Sequence, residues 1–90
     1  MHTKIREGRR HRRLMRVATE LVRRAEGALA SAPVQTVTAD HVAILAFGRY
    51  QFRISEAEAA DYLAAALVVR GHSTDHLPTL PPPEQGEVAA

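Results

Sequence analysis

Arginine is the residue type through which this chain can do chemistry. The stretch Lys4 to Arg24, KIREGRRHRRLMRVATELVRR, holds nine Lys/Arg residues against two acids, Glu7 and Glu20, a local charge of +7. The remainder has three arginines, Arg49, Arg53 and Arg70, and eight acids, so it carries −5 and the whole chain +2. Arg outnumbers Lys eleven to one. A guanidinium is a planar fork of donors that meets two oxygens of a phosphate or carboxylate at once, which an ammonium cannot do. A basic segment on an otherwise acidic molecule is built to attract a polyanion. Arg6, Arg9, Arg10, Arg12, Arg13 and Arg16 are the first candidates for phosphate contacts. Arg23, Arg24, Arg49 and Arg53 are candidates to extend that surface. The arm holds few other groups suited to base-edge recognition, so the contacts expected are to the nucleic-acid backbone.

Arg49-Tyr50-Gln51-Phe52-Arg53 alternates two aromatics with cations. Bases stack on exposed rings, so the segment fits a stacking patch. It equally fits a turn whose Tyr50 and Phe52 complete the core while both arginines stay solvated, the more ordinary arrangement in a small domain.

Other chemistry has less support. His72 and His76 stand four apart with Asp75 between them, and two His at i and i+4 on a helix can hold a metal. Gly71 and Pro78 bracket them, so that helix is not expected. Ser73, Asp75 and His76 are the residue types of a hydrolytic triad, with nothing to orient them. His11 reads as one more potential cation and His41 as a first-turn surface or interface residue. There is no Gly-rich phosphate loop, and the chain has no Cys. No catalytic residue, metal or cofactor is expected, and no enzyme.

The elements that must position the arginines are helices. Leu14, Ala18, Leu21, Ala25, Ala28 and Ala32 alternate at steps of four and three, with Met15, Val22 and Leu29 beside them. That is an amphipathic helix with a wide apolar stripe, expected over about residues 9–32 and closed by Pro33. Gly8 interrupts its start, and like charges at Arg9, Arg12, Arg13 and Arg16 repel. The arm before Leu14 is therefore expected to be loosely ordered on its own. PVQTVT reads as an extended linker. Thr38 is an N-cap, Val37 and Val42 a hydrophobic staple, and Asp40 suits the first turn. This second helix, 38–48, is apolar on every side through VAILAF, which predicts full burial, and Gly48 should end it. Ser55 and Glu58 form a capping box for a third helix, 55–70, with Gly71 at its C-terminal stop. A helix-turn-helix is not expected, because the 48–54 connection is long and the third helix opens with acids.

Ninety residues allow one domain. The expectation is an all-α small three-helix bundle. A basic arm (1–13) that can extend the first helix precedes a helical domain (14–71). A Pro-rich tail (72–90), disordered and carrying a PxxP word at Pro78–Pro81, follows it. The apolar surface of the later helices predicts a homodimer. No apolar run reaches the ~18 residues that a membrane span needs, and no signal peptide is read at the basic N-terminus. The cytoplasm is the expected compartment. The functional expectation is a non-enzymatic nucleic-acid-binding protein, a small regulator or DNA-organising factor. The alternative is an interaction subunit that binds an acidic surface of a larger assembly.

Overall fold

The apolar stripe of the first helix faces inward, as its spacing requires. In the computed structural model, which describes residues 2–27 and 34–78, helix α1 is His2–Gly27, α2 is Ala39–Tyr50 and α3 is Glu56–Val69. Side chains of α1 are described from Gly8 onward. The fold is all-α, a three-helix bundle, with no strand among the described residues. Leu14, Val17, Ala18 and Val22 of α1 are fully buried. Val17, Ala18 and Val22 meet Val42 of α2 and Ala59, Leu63, Ala66 and Leu67 of α3 in one core, with Met15, Leu21 and Ala25 at its edge.

Helix α1 begins at His2 rather than near residue 9, and Gly8 does not interrupt it. A glycine there costs about 1 kcal/mol relative to alanine, which the remaining turns of a long helix can absorb. The expected end at residues 31 or 32 lies outside the described residues. The linker is not extended either. Val34–Thr36 make one 3₁₀ turn, closed by the Val37 N–H donating to the Val34 carbonyl at 3.1 Å, and it carries Val37 into the core.

Thr38 caps α2 as expected, but its partner is a residue the sequence reading missed. The Thr38 hydroxyl accepts from the His41 N–H at 3.3 Å, and the Thr38 N–H donates to His41 Nδ1 at 3.0 Å. This is a capping box with an imidazole in the place usually held by Glu or Gln. The helix continues through Gly48 to Tyr50, and Gln51 ends it in the left-handed region at φ 58°. Its N–H donates to the Phe47 carbonyl at 2.8 Å. So Gly48 is not the stop. VAILAF is not fully buried: Val42 and Ala46 are, whereas Ile44 is 70% and Phe47 45% exposed. One side of so short a helix meets α1 and α3, and the other has no neighbour in the bundle.

Helix α3 starts on Ser55, whose Oγ accepts from the Glu58 N–H at 3.0 Å. Only this half of the expected capping box forms, because the Glu58 carboxylate turns to α1 instead. The helix ends in a Schellman turn. Gly71, at φ +83°, donates to Val68, and His72 donates to Leu67. A side chain at that φ would be strained. Residues 72–78, read as the start of the tail, fold back until Leu77 packs on the core. The rest of the tail, with the PxxP word beyond Pro78, lies outside the described residues.

The contacts Arg10–Glu58, His11–Tyr62 and Glu26–Arg70 advance together along both helices, so α1 and α3 point the same way.

Candidate functional site

The structure sorts the candidate arginines into two groups. Arg10, Arg13, Arg24, Arg49 and Arg53 are engaged within the molecule. Arg9, Arg12, Arg16 and Arg23 are exposed, with no hydrogen bond, ion pair or ring contact among the described residues. The Arg6 side chain lies outside the described residues.

The engaged group joins helices. Arg10 donates to both Glu58 oxygens, at 2.6 and 3.2 Å, and lies 5.7 Å from the Phe52 ring centre. Its exposure of 40% against 33% for Glu58 makes this close to a surface pair, about 1 kcal/mol or less. Glu20 accepts from Arg24 one turn on and from both terminal nitrogens of Arg49 on α2. Arg13 lies 5.3 Å from the Tyr50 ring and Arg53 5.1 Å from the Phe47 ring. Tyr50 and Phe52 stack on each other at 5.4 Å. The aromatic segment is therefore a seam between α1 and the α2–α3 turn, with cations on its rings. Neither Arg49 nor Arg53 is simply solvated.

The unengaged group is ordered by helix geometry alone. At 100° per residue, positions 9, 12, 16 and 23 fall within an arc of about 60° and span about 21 Å of axis. That arc is opposite the face carrying Leu14, Ala18 and Ala25. The result is a straight row of guanidiniums on the outer side of a long helix. A shallow hollow of about 590 Å³ runs beside it, bounded by Met15, Arg16, Thr19, Glu20, Arg23 and Arg24.

His11, His41 and His72 make contacts within the molecule. His11 Nδ1 lies 3.1 Å from the Tyr62 hydroxyl. His72 Nε2 lies 2.6 Å from Glu26, which also receives two hydrogen bonds from Arg70, at 2.6 and 3.2 Å. His72 and His76 sit on a turn, not on a shared helix face. No group of three metal-ligating side chains occurs among the described residues.

The ion pairs shift their members in the expected directions. Arg10, Arg49 and Arg70 are raised, chiefly by hydrogen bonds to Glu58, Glu20 and Glu26. Burial, then the charge of Glu58, raises Tyr62. The Arg49 hydrogen bond lowers Glu20. Glu26 falls furthest, to about 2, through its hydrogen bonds to Arg70 and then His72. A carboxyl lowered on folding adds stability above its ordinary range, and that contribution disappears as pH falls through the folded value. The Glu26 contribution should be complete at neutral pH and vanish between about pH 4.5 and 2. Melting temperature across that window should fall more steeply for the wild type than for Glu26→Gln. Parallel profiles would mean that the Glu26 clasp adds nothing to stability.

No protein-family model, curated protein or solved structure matches this chain.

Proposed function

We propose that this chain is a non-enzymatic nucleic-acid-binding protein, a small regulator or DNA-organising factor, that holds phosphates along the outer face of α1. The row Arg9, Arg12, Arg16 and Arg23 carries the reading. The ion pairs among the described residues draw on three acids, Glu20, Glu26 and Glu58, which take Arg10, Arg24, Arg49, Arg70 and His72. These four arginines are outside those pairs, and Arg9, Arg12 and Arg16 repel one another at spacings of three and four. Such a row gains most from an anion that spans several residues at once. Phosphates held by four guanidiniums release bound counterion, with a slope of log K against log salt of about −0.9 per contact on duplex DNA, hence about −3.6. Anisotropy titrations of a labelled duplex at several salt concentrations measure that slope. No binding at low salt would sink the reading and transfer the row to an acidic protein surface.

The proposal includes a homodimer in which a second copy covers the outer face of α2. Ile44 and Phe47 are the exposed apolar residues there. Where Gly48 lacks a Cβ, nothing lies within 4 Å, which leaves room for a neighbour's side chain. Asp40, at the N-terminal end of the face, and Arg53, beyond its C-terminal end, have no ion-pair partner among the described residues. Antiparallel pairing of two α2 helices sets each Asp40 beside the other copy's Arg53. The patch is small against the area of stable dimers, so light scattering should reach the mass of two chains only at roughly 100 µM or above. One-chain mass at every concentration, or a dimer unchanged by Ile44→Asp, would exclude this interface.

A further inference from the structure

We infer that the nucleic acid this face takes is a duplex and not a single strand; the inference rests on the phosphate-binding reading above. Proteins that hold single strands pair a basic groove with free aromatic rings, on which successive unpaired bases stack. The chain has four aromatic side chains, two Tyr, two Phe and no Trp, and all four are described. Each ring already has a partner. Arg13 lies over Tyr50, Arg10 over Phe52 and Arg53 over Phe47. Tyr62 sits against His11, with ring centres 5.3 Å apart. None of the four belongs to α1, which carries the unengaged arginines. The hollow beside the row has no ring in its wall.

The shape agrees. The row lies on the outer side of one helix, and the hollow that Arg16 and Arg23 border is shallow. A flexible strand laid on it would lose conformational freedom with no stacking in return. A duplex is already ordered, presents a negative charge about every 1.7 Å of its axis, and has a major groove about 12 Å wide that admits a helix. A straight row of about 21 Å meets many such charges without bending either partner.

The test compares a mixed-sequence DNA duplex of about two helical turns with each of its strands alone, by anisotropy with the wild-type chain at one low salt concentration. Binding should be at least about fivefold tighter to the duplex, since the strands gain no stacking. Phe47→Leu removes the most exposed Phe ring and should leave that ratio unchanged. Equal or tighter binding to single strands, reduced by Phe47→Leu, would overturn the duplex inference and leave the phosphate reading intact. Equal binding that Phe47→Leu does not alter would overturn it too. Binding to neither form would overturn the phosphate reading itself, and the duplex inference with it.

Discussion

Leu63→Ala should unfold a large fraction of the molecule's stability. Leu63 is fully buried on α3, in the cluster that joins it to Val17 and Val22 of α1 and to Val42 of α2. Truncating a buried Leu costs about 2–5 kcal/mol, and the figure depends on how far the surroundings collapse. A hollow of about 190 Å³ already lies on one side of Leu63, walled by Val37, Ala60, Leu77 and the first turns of α2 and α3. Removing the side chain enlarges that space and opens it toward the core. A domain of this size has a total stability of roughly 5–13 kcal/mol, so the loss is a major part of it. The melting temperature should fall by about 10 °C or more. Leu63→Met, which conserves volume, should cost less than about 1.5 kcal/mol. A fall of only a few degrees for Leu63→Ala would show that α3 does not hold the centre of the core.

The second large effect concerns binding and not stability. Changing Arg9, Arg12, Arg16 and Arg23 together to Gln should leave the melting temperature unchanged or slightly higher. None of the four has a partner to lose, and like charges are relieved. Affinity for duplex DNA should fall about a thousandfold at ~0.1 M salt, and the salt slope should flatten to near zero. The loss should be the same on unrelated sequences, because phosphate contacts carry no base information. Changing Arg10, Arg13, Arg24 and Arg49 instead should give the opposite signature. That set leaves Glu58 and Glu20 without these partners and uncovers two rings, so stability should fall first. If the first set left DNA affinity intact, the outer row would not be the binding face. A loss confined to particular sequences would mean that the row reads base edges, most simply guanine through Arg.

The fold was legible in the sequence where the signal was local. Ser55, Thr38 and Gly71 mark helix ends through bonds to residues two to four positions away, and all three do so in the structure. The stripe of α1 was legible for the same reason, although the buried Val17 lies outside both of the columns that the spacing picked out. Gly48 misled because glycine only weakens a helix; the stop came from Gln51 adopting a left-handed backbone, which its side chain does not announce. His41 could have been found: it stands three residues after a Thr cap, and a neutral imidazole nitrogen can accept as a carboxylate does. The arginine surface was legible as a composition and illegible as an arrangement. Whether Arg10 or Arg12 is available depends on Glu58, forty-eight residues away from Arg10 along the chain. Like-charged neighbours in sequence look equivalent until the opposing helix is known.

The two ion-paired contacts between α1 and α3 have a consequence for chain length. Arg10 meets Glu58 near the start of α3, and Glu26 meets Arg70 and His72 just past its end. Between these two stops α1 runs about 24 Å. One residue inserted there would rotate everything beyond it by about 100°, so that both stops could not be met at once. The guanidinium row would also be cut into two pieces facing different ways. Insertion or deletion should therefore be forbidden between Arg10 and Glu26 even at solvent-facing positions where most substitutions are harmless. Ahead of Arg9 the same change of length alters neither stop. For this helix, exposure does not measure tolerance: the outer positions between its arginines can vary in composition but not in count.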